Sequence, residues 1–147
     1  MKEAIEIEIE VRYAESDQMG IVHHANYLVW FEVARTRLCL EAGYHYAAIE
    51  EMGYWLVVTG SSARYRTGAR YGDTVTVCCE LDWVGTRVLQ FAYVVRRGDE
   101  RIATGTTEHV WVARDTGRHC RIPEKLLEPF LRLSGQKSLI RRPQAPS

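Results

Sequence analysis

Over residues 5–13 the apolar side chains fall at every second position, Ile5, Ile7, Ile9, Val11 and Tyr13, with Glu6, Glu8, Glu10 and Arg12 between them. A two-residue period puts every apolar group on one face of an extended chain, so the pattern predicts a half-buried strand. A polar break containing Gly20 follows, and then the period changes. Tyr27, Trp30, Phe31, Ala34, Leu38 and Ala42 trace one stripe of a helix over residues 24–42, with its N-cap at Asn26 or one or two positions earlier and Gly43 where it should stop. Leu28, Val33 and Leu40 lie beside Arg35 and Arg37 on the remaining face. A helix that is apolar over more than half its circumference is expected to be wrapped by other elements rather than to rest on them.

A short helical turn over residues 46–52 precedes a return to alternation. Trp55, Val57, Thr59, Ser61, Ala63 and Tyr65 mark a second strand, and Val75, Val77, Cys79, Leu81 and Trp83 a third. Residues 88–96 and 102–112 give two more, joined by a hairpin turn at Arg97, Gly98 and Asp99. Asp115, Thr116 and Gly117 stop the last strand, and Pro123 opens a short helix over residues 123–133. Residues 1–134 therefore read as one domain and residues 135–147 as an unstructured tail. Strand, long helix and four strands in meander predict an α+β architecture, an antiparallel five-stranded sheet whose apolar face only the central helix can cover. A sheet curled round one such helix is a hotdog fold. Its open edges and second face lead to the expectation of a homodimer at least.

Length and composition narrow the function classes. The 147 residues, 46% of them apolar, suffice for one core, and 19 basic against 19 acidic residues leave no net field to attract nucleic acid. Four cysteines, at 39, 78, 79 and 120, include no two-residue-spaced pair and fit neither a zinc site nor a disulfide framework, so no metal is expected. The alternating N-terminus is unlike the apolar core of a secretory signal, and no stretch is long enough for a membrane span, which together make a cytoplasmic location the expectation. A Gly-rich phosphate loop, a dinucleotide fingerprint, a nucleophile-elbow serine and a zinc-binding helix motif are all missing.

What remains is the junction from Tyr13 through Asp17, Gly20 and His24 to Tyr27, where ionisable groups gather at the start of the apolar helix. A helix N-terminus offers unpaired N–H groups and roughly half a positive charge, which can polarise a carbonyl. A thioester oxygen accepting from the N–H near His24 would be stabilised by roughly 3 kcal/mol as charge develops on it. Asp17 could then attack the carbonyl carbon or activate a water. An isolated aspartate in such a break is more often a turn or capping residue, so its neighbours decide the reading.

Those neighbours form the run RYAESDQMGIVHHANYLVWFEVAR, which resembles the signature of the 4-hydroxybenzoyl-CoA thioesterase family, in the branch of hotdog acyl-CoA thioesterases associated with the Tol-Pal cluster. The likeness combines an aspartate three residues before a glycine, two aliphatic residues, a histidine, Asn-Tyr-Leu and a downstream Glu-x-x-Arg. The resemblance implies that Asp17 is the catalytic carboxylate, accompanied by His24 and Tyr13, and that Gly20, Ile21, Val22, His23, Asn26 and Tyr27 contact substrate. It also implies an active site at a dimer interface, a homotetramer as a common assembly, and no cofactor, coenzyme A being part of the acyl-CoA substrate. Basic side chains would hold the coenzyme's phosphates, with Arg64, Arg66, Arg70, Arg87, Arg96 and Arg97 as candidates, although arginines alternating outward on strands need no ligand. The segment from Ala69 to Asp73 is similar to the family's loop before its third strand, with two departures. Gly68 stands where many relatives have proline, which would loosen that loop, and His23 stands where tyrosine is frequent.

Two other readings share these residues. One is a regulatory hotdog protein that binds acyl-CoA without hydrolysing it, and the other is a thioesterase acting on an acyl-carrier protein. A hydratase on the same fold would need a different histidine and aspartate pairing. Fold alone does not separate these classes, and only the site does.

Overall fold

The computed structural model describes residues 1–142. Five strands, β1 (Ala4–Glu10), β2 (Tyr54–Tyr65), β3 (Thr74–Val84), β4 (Val88–Arg97) and β5 (Glu100–Ala113), form one antiparallel sheet in the order β1-β3-β4-β5-β2. Helix α1 (Ala25–Glu41) lies on its concave face, α2 (Tyr46–Glu51) leads into β2, and α3 (Glu124–Ser134) packs on β3. The hotdog architecture expected from the pattern is the one observed.

The meander is three strands long rather than four. β2 pairs with β5, Leu56 opposite Trp111 and Ala63 opposite Gly105, while β3 lies at the far side of the sheet beside β1. Alternation identifies a strand but not its neighbour, because the period says which face is apolar and nothing about which backbone accepts its hydrogen bonds. Residues 66–73 therefore cross from one sheet edge towards the other. On the way they pass over the start of α1, where the Val22 N–H donates to the Ala69 carbonyl at 2.8 Å.

The first strand also ends earlier than its alternation suggests. Val11 is buried and its N–H reaches the Asp73 carbonyl, but Tyr13 to Glu15 form a 3-10 turn and Tyr13 is 78% exposed. The turn is held by the Glu15 carboxylate, which accepts the Arg12 N–H at 2.8 Å. On α1, Trp30, Phe31, Ala34 and Leu38 are buried as the stripe requires. Phe31 stacks on Tyr93 with centroids 4.2 Å apart, and it can sit that low because Gly105 on β5 has no side chain. The outward positions Leu28, Val29, Val33 and Leu40 remain 38–49% exposed in the single chain, so the sheet wraps only one side of the helix.

The tail is partly attached. The Gln136 side chain accepts the Val84 N–H at 2.8 Å and donates to its carbonyl at 2.9 Å, and the Ile140 N–H donates to the same carbonyl. The end of the segment expected to be unstructured, residues 143–147, lies outside the described residues. Pro123 caps α3, whose first helical residue is Glu124.

Two outcomes follow for stability. A Cβ on Gly105 would fall 2.5 Å from the Phe31 ring and 2.7 Å from the Ser62 carbonyl oxygen. Gly105→Ala should therefore cost about 1–3 kcal/mol in urea unfolding, the usual range for overpacking. His109 is 1% exposed, with Nε2 at 2.8 Å from Thr107 Oγ1 and Nδ1 unpartnered, and burial together with the Arg35 charge pushes its pKa down to about 3. As pH falls through the ordinary value near 6.5 the unfolded chain takes up a proton that the folded one refuses. Stability should therefore fall by up to about 1.4 kcal/mol per pH unit below that value, until the folded histidine itself titrates near 3. Urea titrations at pH 7 and 5 should show this loss in the wild type and not in His109→Gln.

Candidate active site

The segment before α1 is a tight sequence of turns. Asp17 and Gly20 close the first: the Gly20 N–H donates to the Asp17 carbonyl, the Met19 N–H donates to Asp17 Oδ1 at 2.8 Å, and the Asp17 N–H donates to the Ile21 carbonyl. Gly20 has φ of 78°, a left-handed conformation that a β-carbon disfavours. The chain then runs back through a bridge between Ser16 and Val22, so that Asp17 and the first turn of α1 come to the same place.

That place is fixed by Glu15, a residue whose importance the sequence did not reveal. Its carboxylate is 3% exposed, accepts the indole N–H of Trp30 at 2.8 Å and the backbone N–H of Arg12, and faces the Arg12 guanidinium. Its backbone carbonyl accepts the His23 N–H and the side-chain amide of Asn26. Burial raises the Glu15 pKa, but the hydrogen bonds from Arg12 and Trp30 outweigh it and hold the carboxyl below its usual range. Nothing local in the sequence announces a bond between residues fifteen apart, one in a turn and one in a helix.

The helix start falls at the earlier end of the expected range, with His24 in the N-cap position. Helix α1 begins at Ala25, and Asn26 lies inside it rather than capping it, its amide reaching back to Glu15 and His23. The N-cap side chain makes no capping bond, and the preceding His23 supplies one, its Nδ1 accepting the Ala25 N–H at 3.2 Å. The Asn26 and Tyr27 N–H groups bond to the carbonyls of His23 and His24. The N–H of His24 has no acceptor among the described residues.

Asp17, Ile21, Val22, His24, Tyr27 and Arg66 line one cleft of about 300 Å³. Met19, Tyr65, Thr67 and Gly68 complete it, four positions that sequence reasoning did not assign to the site. Tyr65 closes one wall, its ring 5.0 Å from that of Tyr27 and its hydroxyl donating to the His24 carbonyl at 3.3 Å. Tyr27 is buried, and its hydroxyl accepts the Ala69 N–H at 3.5 Å, so the crossover and the helix are joined at the cleft floor. Gly68 is packed rather than loose: a Cβ there would stand 2.8 Å from Ile21 Cγ2, so Ile21 fills the space a larger residue would need.

Other expected site residues lie elsewhere. Tyr13 points to solvent, edge-on to Tyr71 at 5.6 Å, and does not line the cleft. His23 stacks on His24 at 4.3 Å and serves the helix end, and Gly20 serves the turn. Three of the six arginines are engaged within the chain. Arg87 donates to the His119 carbonyl, Arg96 pairs with Glu6 at 3.1 Å, and Arg97 bridges Asp73 at 2.9 Å, Glu100 at 2.7 Å and the Gly68 carbonyl. Arg66 is on the cleft wall, Arg70 lies near Gly20, and Arg64 is exposed on β2.

The Glu15 contacts give a direct check. Glu15→Gln loses the charge on two hydrogen bonds and should cost about 1.5–3 kcal/mol at pH 7. A depressed carboxylate stabilises above its unfolded pKa and loses that contribution as pH falls through the folded value. The gap between wild type and variant in urea unfolding should therefore narrow as pH drops below about 4.5.

The comparisons with known proteins identify the family and the fold. Residues 11–130 match the family model described as the thioesterase-like superfamily. YneP of Bacillus subtilis (strain 168), an acyl-CoA thioesterase by its provisional name, is 38% identical over 110 residues, 74% of this chain and 80% of its own. Among solved structures, the hypothetical protein TT1821 from Thermus thermophilus superposes with a TM-score of 0.82 at 36% identity, covering 87% of this chain and 95% of that one. The DHNA-CoA thioesterase from Staphylococcus aureus superposes with a TM-score of 0.82 at 29% identity, covering 94% and 99%. The chain belongs to the thioesterase-like superfamily.

Proposed function

We propose that this protein is a thioester hydrolase that cleaves acyl-CoA to the free acid and coenzyme A in the cleft between Asp17 and the start of α1. One observation bears most of the weight: Asp17 and His24, the residue before α1 whose N–H has no acceptor among the described residues, line the same 300 Å³ cleft. A thioester carbonyl accepting from the His24 N–H would meet the positive end of α1, where charge on the oxygen is stabilised. Asp17 has one oxygen bonded to Met19, and Oδ2 has no partner among the described residues. As a general base it would take a proton from water while the oxygen adds to the carbonyl carbon. As a nucleophile it would form an anhydride that water then opens. In both routes the C–S bond breaks; in the first the proton taken from water passes to the coenzyme A sulfur, and in the second coenzyme A leaves as the thiolate and takes its proton from solvent, while water's oxygen ends in the free acid.

The cleft suits a short or aromatic acyl group, in line with the resemblance to 4-hydroxybenzoyl-CoA thioesterases, because Ile21, Val22, Tyr27 and Tyr65 supply its apolar walls. Arg66 at the cleft, with Arg64 and Arg70 outside it, is the best-placed group of cations for the coenzyme's phosphates. A cytoplasmic location fits a coenzyme A ester as substrate, and no helix among the described residues is long and apolar enough to cross a membrane.

Two copies are expected to join along β2. The opposite edge, β1, carries Glu6, Glu8 and Glu10, whose like charges discourage pairing, whereas β2 presents Val57 and Val58, 40% and 46% exposed. The exposed apolar row on α1 offers a further surface for a tetramer.

The test is release of free thiol from a panel of acyl-CoA esters and from acyl-carrier-protein thioesters. Wild type should turn over the CoA esters, and Asp17→Asn should lose about 10²–10⁴-fold in kcat, the usual worth of a positioned acid or base. Full turnover by the variant would remove Asp17 from the mechanism. Binding without product in the wild type would make the protein a sensor of acyl-CoA.

A further inference from the structure

Arg35 has no role in the chemistry above, and its surroundings are unusual for a cation. It is 8% exposed, no carboxylate lies within 4 Å of it among the described residues, and its Nε is buried without an acceptor. Its guanidinium faces the hydroxyls of Tyr46 and Tyr93, and that of Tyr93 is already bonded to Thr107 Oγ1 at 2.6 Å. An arginine stays charged, and burying an unpaired charge costs several kcal/mol unless an anion meets it.

A cavity of about 190 Å³ reaches this guanidinium between α1, α2 and the start of β2. Its lining is mixed: Ile49, Trp55 and Leu56 give apolar surface, and Arg35, the two tyrosines Tyr46 and Tyr54 and the carboxylates of Glu32 and Glu50 give a larger polar share. It shares no lining residue with the Asp17 cleft, and Arg35 stands roughly 12 Å along α1 from Tyr27 at the helical rise. A cavity of about 150 Å³ accepts a benzene ring, so a single ring with a short substituent matches this one in size. Glu32 and Glu50 also border it, both exposed, and their charges oppose a dianion more than a monoanion.

We propose that this cavity is a second binding site, for a monocarboxylate whose apolar body is about one aromatic ring in size. The carboxylate takes the Arg35 guanidinium and the Tyr46 hydroxyl, and the ring lies among Ile49, Tyr54, Trp55 and Leu56. The geometry excludes phosphate as the preferred ligand, because an oxyanion alone leaves the aromatic walls unfilled and meets both rim carboxylates. The site is independent of the hydrolytic reading, although the acids a thioesterase releases belong to the class it would hold.

Titration calorimetry of the full chain with benzoate, hexanoate and inorganic phosphate tests this, with Trp55 fluorescence as a second readout. Benzoate should bind saturably to the wild type and to Asp17→Asn alike, at least about tenfold more tightly than phosphate. Arg35→Met should lose binding by about tenfold or more, and Trp55→Phe should abolish the fluorescence change. Should Arg35→Met fail to fold by circular dichroism, Leu56→Trp, which fills the cavity and leaves Arg35 intact, should remove binding instead. No saturable benzoate binding, as when a second copy's carboxylate already meets Arg35, overturns the proposal. So does binding that survives Leu56→Trp, disappears in Asp17→Asn, or is weaker than that of phosphate.

Discussion

The Glu15 carboxylate holds the candidate site together. It sits under the first turn of α1, bonded to Trp30 from the helix and to Arg12 from the preceding turn, and its own carbonyl collects His23 and Asn26. Those four contacts tie to the helix the turn that Asp17 and Gly20 close between β1 and α1. With them, Asp17 is carried to the leading end of α1, beside His24, whose N–H has no acceptor among the described residues. A buried, fully bonded carboxylate is a costly device unless every lone pair is used, and here the surrounding donors are sufficient to keep it ionised.

The second constraint is topological. Because β2 sits on the far edge beside β5, residues 66–73 must cross the sheet, and they do so directly over the helix start. That crossing supplies Arg66, Thr67 and Gly68 to the cleft and places Ala69 on the Tyr27 hydroxyl. The Arg97 bridge to Asp73 and to the Gly68 carbonyl then anchors the loop from below. An arginine that looked available for a phosphate in the sequence is in fact a brace, and the same holds for Arg96 against Glu6.

The core follows a different logic from the cleft. Phe31, Tyr93 and Gly105 stack helix on sheet with little room to spare, while a short distance away Arg35, Tyr46, Tyr93, Thr107 and His109 form a polar seam through the interior. Such a seam is tolerated where its members satisfy one another, and two are left short, Arg35 at Nε and His109 at Nδ1. The position of Arg35 beside a cavity rather than within packed side chains is what separates a ligand site from a packing defect.

Hydrophobic period alone determined the strands, the long helix and the buried faces of β1, α1 and β3, which follow from where Ile5, Trp30, Phe31 and Val77 fall, whereas the β2 stripe of Trp55, Val57 and Tyr65 stays 40–45% exposed. The sequence also brought Asp17 and His24 to one place, because local turn chemistry around Gly20 and the onset of a helix are both short-range properties. Tertiary structure alone decided which edge β2 would occupy, since hydrogen-bonding partners are chosen by the whole chain and not by alternation. It decided too that Tyr13 turns out to solvent, that Asn26 braces rather than caps, and that Arg87, Arg96 and Arg97 are engaged. Charged side chains read alike in sequence whether free or paired, because their partners lie as much as ninety residues away, as Glu6 does from Arg96.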